Sequence, residues 1–156
     1  MLAKGWIPAN TAPAQLEMTR LAFALKNYGI TLTMCSELDP NVRAGLLKAR
    51  VVFGILHPAT TDQLYVLGRI EDIINLDYLR AAANQKLGNP DLIKQPAIEG
   101  AEWVLLLDRY VHREYTDETS RPFTYLEGRI TEMRAQYTAL SPGIFTEAAG
   151  ALTRPA

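Results

Sequence analysis

Phe123-Thr-Tyr-Leu126-Glu-Gly-Arg-Ile130-Thr-Glu-Met133-Arg-Ala-Gln-Tyr137-Thr-Ala-Leu140 is the stretch that decides the fold class. Its large apolar residues Phe123, Leu126, Ile130, Met133, Tyr137 and Leu140 fall three, four, three, four and three apart. That spacing puts them in one narrow seam of a helix that packs at a shallow angle on another helix. Pro122 sets the start and Ser141-Pro142-Gly143 the stop.

The same period extends upstream. Leu64, Leu67, Ile70, Ile73 or Ile74, and Leu79 predict a long helix over about 62–87, capped by Thr60 or Thr61 and closed by Gly88-Asn89-Pro90. Pro96 opens another helix reaching about Tyr115, with Ile98, Ala101, Leu105 and Val111 inward. Trp103 to Leu107 make this helix apolar around most of its girth, which predicts a central position or a place against a second chain. Thr11 caps a first helix around Leu16 and Phe23, with Gly29 as its stop. Ile30-Thr31-Leu32-Thr33-Met34 alternates apolar and hydroxyl side chains, the period of a short strand. Asp39-Pro40 reads as the start of a helix running to at least Arg50. Val51–Leu56 could prolong that helix or form a buried strand. The expectation is a mainly α fold: a single-domain bundle of four or five helices, at most two short strands, and extended terminal arms. Residues 1–10 form the N-terminal arm, 11–143 the helical domain and 144–156 the C-terminal tail.

Composition narrows the function. The 156 residues carry 16 Lys and Arg against 17 Asp and Glu, a net charge of −1. Seven basic face seven acidic residues in 1–78, and nine face ten in 79–156. Nucleic acid is therefore not expected as a principal partner, because phosphate binding needs clustered surplus cations. No apolar run approaches the ~20 residues that cross a bilayer, so no membrane is expected. The N-terminus lacks an apolar core of signal-peptide length, and the single Cys35 implies no oxidising compartment. A cytoplasmic setting, or an assembly built from cytoplasmic chains, follows.

Chemistry is hard to find. With only His57, His112 and Cys35, neither a zinc motif nor the Glu-x-x-His pairs of a di-iron bundle can be written, so no metal and no cofactor are expected. No Gly-x-Ser-x-Gly elbow or phosphate loop occurs. Cys35, His57 and Asp62 supply the residue types of a thiol triad, but a small buried cysteine accounts for Cys35 more simply. Asp108 and His112 share a helix face and could act as an oriented acid–base pair; a solvated face near a helix C-terminus, where Arg and His complement the dipole, explains them more simply. Glu99 with Glu102, and Asp117 with Glu118, are adjacent carboxylates of ordinary placement. No catalytic residue is assigned, and the chain is expected not to be an enzyme.

The ends carry the least ordinary feature. Trp6-Ile7 and Ile144-Phe145 are large apolar pairs in segments read as arms, which a neighbouring subunit could bury or the chain's own domain could take back. With Arg109, Arg113 and Tyr115, residue types enriched where protein surfaces meet, they form the expected interface.

The segment from Pro96 to Asp117, an apolar helix ending Asp-Arg-Tyr-Val-His-Arg-Glu-Tyr115, resembles a helix of the small head–tail connector proteins of tailed phages. The preceding helix, with Ile73, Ile74 and Leu79 before Ala81-Ala82-Ala83, fits that family's layout, and the resemblance covers about a third of the chain. It implies a mainly helical virion neck subunit in a ring of identical copies, its arms meeting portal or tail proteins. The alternative is a helical accessory subunit of an enzyme complex, without its own active site.

Overall fold

The computed structural model describes residues 12–55, 60–114 and 117–153. They form α1 (Ala12–Ala24), α2 (Tyr28–Ile55), α3 (Thr60–Lys86), a 3-10 turn (Pro90–Leu92), α4 (Lys94–Glu114), α5 (Arg121–Leu140) and α6 (Ile144–Thr153), with no strand among the described residues. The mainly α bundle read from the periodicity is the fold, with six helices. Trp6, Ile7, Tyr115 and the expected N-terminal arm lie outside the described residues.

Helix α3 is the centre of the bundle, packing on α1, α2, α4 and α5. Its Ile73, Ile74, Leu76, Ala81 and Ala83 are essentially inaccessible to solvent. The seam of α5 is buried at every one of its six predicted positions. Ser120 caps this helix, its hydroxyl accepting from the Phe123 N–H at 3.3 Å.

The region 28–55 differs from the sequence expectation. The alternation at Ile30–Met34 does not make a strand, and Asp39-Pro40 does not begin a helix; both lie within α2. A helical stripe runs through the same residues, since Thr31, Cys35, Leu38 and Val42 are four, three and four apart and all buried. Ile30, one of the apolar residues of that alternation, is 54% exposed. The β-branched threonines are accommodated because their hydroxyls bond back one turn, Thr31 to the Asn27 carbonyl at 2.8 Å and Thr33 to that of Gly29 at 3.2 Å. Residues 51–55 continue the helix.

Gly29 likewise does not stop α1. Lys26 takes the left-handed conformation (φ 64°), with its N–H on the Phe23 carbonyl and the Asn27 N–H on that of Ala22, each 2.9 Å. This pair of bonds closes a helix in the way glycine usually permits, here with a lysine in the strained position.

The expected C-terminal tail is also corrected. Gly143, at φ 86°, turns the chain, and α6 then packs along α4. Ile144 is 2% exposed and Ala148 wholly buried. The chain's own α3, α5 and α6 cover much of the apolar girth of α4, burying Val104 and Leu107, while Trp103 and Leu105 are half-buried and Leu106 stays exposed. Small residues follow the Ile-Phe pair, and these let α6 lie close: Ala148, wholly buried, meets the core with only a methyl group between the helices.

Candidate functional site

Three helices contribute to a polar network at the wall of the core. From α2, Asp39 accepts from Arg43 Nε at 2.9 Å and from Arg80 of α3 at 3.0 Å. Arg43 then grips Glu99 of α4 with both terminal nitrogens, at 2.8 and 3.1 Å. Such a two-pronged arginine–carboxylate pair fixes orientation as well as charge. Pro40 lies beside it within α2 and has no N–H to offer the Ser36 carbonyl. Arg80 reaches the adjacent Cys35 carbonyl at 3.4 Å.

Behind the network stands Asp77, with no exposed surface. Neither of its carboxyl oxygens has a hydrogen-bond donor among the other described groups. Burial, followed by the neighbouring Glu99, pushes its pKa up to about 9, so at neutral pH it is a carboxylic acid that donates to Glu99. Burial works against the ionised form of Glu99 too, but hydrogen bonds from Arg43 and Asp77 overcome it and hold that carboxyl below its ordinary value. The two acids therefore divide one proton unequally. A cleft of about 470 Å³ opens beside them, lined by the apolar Leu32, Leu92 and Pro96 and the polar Asn84, Asp91 and Gln95.

Sequence reasoning passed over Asp77, although a signal existed. It stands three residues after Ile74 and four before Ala81, on the inward stripe of α3. An acid on an apolar stripe calls for a partner from another helix. Along the chain Glu99 stands near only Glu102; its partners, Arg43 and Asp77, come from 56 and 22 residues away.

The residues singled out earlier are dispersed. Arg109 and Arg113 are exposed on α4, Arg113 lying over the Tyr110 ring at 5.8 Å. Ile144 and Phe145, expected at a subunit interface, are taken up by the chain's own core, the Phe145 ring 6.4 Å from that of Tyr137 and 5.1 Å from the Arg134 guanidinium. Asp108 and His112 do meet, at 3.3 Å, but Arg134 at 3.2 Å and Glu127 at 3.6 Å tie the pair across to α5. Cys35 is fully buried and burial pushes its thiol up to about 11, the opposite of what a nucleophile needs. Among the described residues, no group of three or more His, Cys, Asp or Glu is placed to hold a metal ion.

A second surface is apolar. Helix α1 buries Leu16 and Thr19, with Phe23 packed against the core, at positions three and four apart. On its opposite face Met18 and Leu21, with Leu25 in the turn that closes the helix and bonded back to the Leu21 carbonyl, have the same spacing and are 53%, 55% and 74% exposed. No helix of the described chain is long and apolar enough to cross a membrane. Comparison with protein-family models, curated proteins and solved structures gives no match.

Proposed function

We propose that the chain is a non-enzymatic structural or assembly subunit that associates with copies of itself, as the ring-forming neck subunits of phage virions do. The observation that carries this reading is the double-faced α1. One apolar stripe seats the helix on α2 and α3; the second, Met18, Leu21 and Leu25, faces solvent. Apolar surface left in water forgoes about 25 cal/mol per Å², and a row of three large side chains on one face is the pattern of a helix that another surface covers. The exposed Arg109 and Arg113 belong to the same reading as contacts with other structural proteins of the assembly, portal or tail. In this setting the protein resides in the virion.

The test is absolute mass in solution, by light scattering or native mass spectrometry, across a hundredfold range of concentration. A defined multiple of 17.3 kDa is expected, shifting to monomer in Leu21→Glu while the helical circular dichroism stays unchanged. A wild-type chain that remains monomeric at every concentration overturns the reading.

A further inference from the structure

We propose that the cleft between α2, α3 and α4 binds an organic cation, an ammonium or guanidinium group carried on a short hydrocarbon stem. Four acids, Asp39, Asp77, Asp91 and Glu99, stand in or beside it against two arginines. Those arginines are already directed onto carboxylates, Arg43 onto Asp39 and Glu99 and Arg80 onto Asp39. An anionic ligand would meet acceptor oxygens there and compete with internal pairs. A cation would meet acceptors still short of donors.

The strongest of these is Asp77, wholly buried, lining the cleft, and with no donor to either oxygen among the other described groups. Asp77 gives its proton to Glu99 but receives no donor at either oxygen; a buried acceptor left so is costly to keep, and a positively charged donor is what it lacks. The apolar part of the lining suits the rest of the ligand. Leu32, Leu92 and Pro96 offer apolar surface, and Leu92 is 57% exposed in the free protein. Lysine-like and arginine-like groups lay their methylenes along such a surface while the charged head keeps its polar partners. Organic cations fit better than a metal ion, for which the described residues assemble no ligand set.

Binding has a chemical consequence. In the free protein burial keeps Asp77 protonated; an arriving cation favours its carboxylate, and the proton leaves to solvent. The same ligand chemistry can arrive as a free alkylamine or as a lysine side chain of another protein, and the experiment separates them.

The full chain is titrated with n-butylammonium chloride at constant ionic strength and followed by amide NMR, with sodium butyrate and n-butanol as controls. Saturable shifts at Leu32, Asn84, Leu92 and Gln95 are expected from the ammonium alone. Calorimetry in two buffers of different ionisation enthalpy is expected to show proton release on binding. Asp77→Asn keeps the size of the side chain and an N–H toward Glu99; once circular dichroism shows it folded, it should bind roughly tenfold more weakly, without proton release. Acetyl-Gly-Lys-Gly-amide binding more tightly than n-butylammonium assigns the ligand to a partner's lysine, and the reverse order assigns it to a free amine; either order upholds the site. Non-saturating shifts scattered over exposed carboxylates, or equal affinity in Asp77→Asn, overturn it.

Discussion

Gly100 shows how a single missing methyl can set the distance between two helices. A Cβ built there would overlap the Tyr137 hydroxyl and ring edge. Tyr137 cannot retreat, because it is wholly buried and its hydroxyl donates to the Ile74 carbonyl at 2.5 Å. Two effects of opposite sign meet in Gly100→Ala. Alanine gains about 1 kcal/mol of helix propensity over glycine, while an extra methyl forced into a packed site costs about 1–3 kcal/mol. Because the obstructing atom is the anchored end of a rigid ring, the overlap should win. The substitution is expected to lower the urea midpoint without changing the slope of the transition, whereas a raised midpoint would show that α4 and α5 can part without penalty. Tyr137 was legible in the sequence as a seam position of α5. Gly100 was not, because a glycine in a helix names its own propensity but not the side chain that comes to occupy its place.

At the scale of elements, a correct helical period outperformed local signals wherever the two disagreed. The α5 seam needed six agreeing positions and all six are buried. At 30–34 five residues suggested a strand, but the stripe from Thr31 to Val42 spans twelve residues and commits more surface to the core. Asp39-Pro40 carried a genuine start signal, yet a helix whose flanking turns are both packed can carry an internal proline, here with Asp39 drawn into bonds with Arg43 and Arg80. The charged network could not be read along the chain at all, since its members come from three helices. The C-terminal segment tests this contrast most directly. If α6 is part of the core, Ile144→Ala should destabilise the isolated chain by about 2–5 kcal/mol, the range for truncating a buried isoleucine. The measurement is denaturant unfolding at low concentration, where association contributes least. A loss below about 0.5 kcal/mol, the usual range for a surface substitution, would return residues 144–153 to the role of an arm.

For the molecule as a whole, the buried acid links stability to pH with a definite sign. Several charged or titratable groups surround Asp77: Cys35, Asp39 and Arg43 on α2, Arg80 on α3, Glu99 on α4 and Tyr137 on α5. Their sum, with burial foremost, leaves the native pKa at about 9 against an ordinary 3.8. Between those values the native state holds a proton that the unfolded chain has released. The contribution of Asp77 to stability is therefore greatest below about pH 4, falls as pH rises, and levels off above about 9, with a limiting slope of about 1.4 kcal/mol per pH unit for one such group. Burial raises Asp72 as well, which acts in the same direction. Glu99, held low, acts in the opposite direction, but its contribution is lost only as pH falls below its ordinary 4.5, outside the range from 5 to 8. Denaturant unfolding should accordingly find the protein more stable at pH 5 than at pH 8. Asp77→Asn, which carries no proton to lose, should flatten most of that difference and be the more stable protein at pH 8. A wild-type profile that is flat from pH 5 to 8 and matches the variant would mean that Asp77 is ionised in the native state and held by a donor that the network described above does not contain.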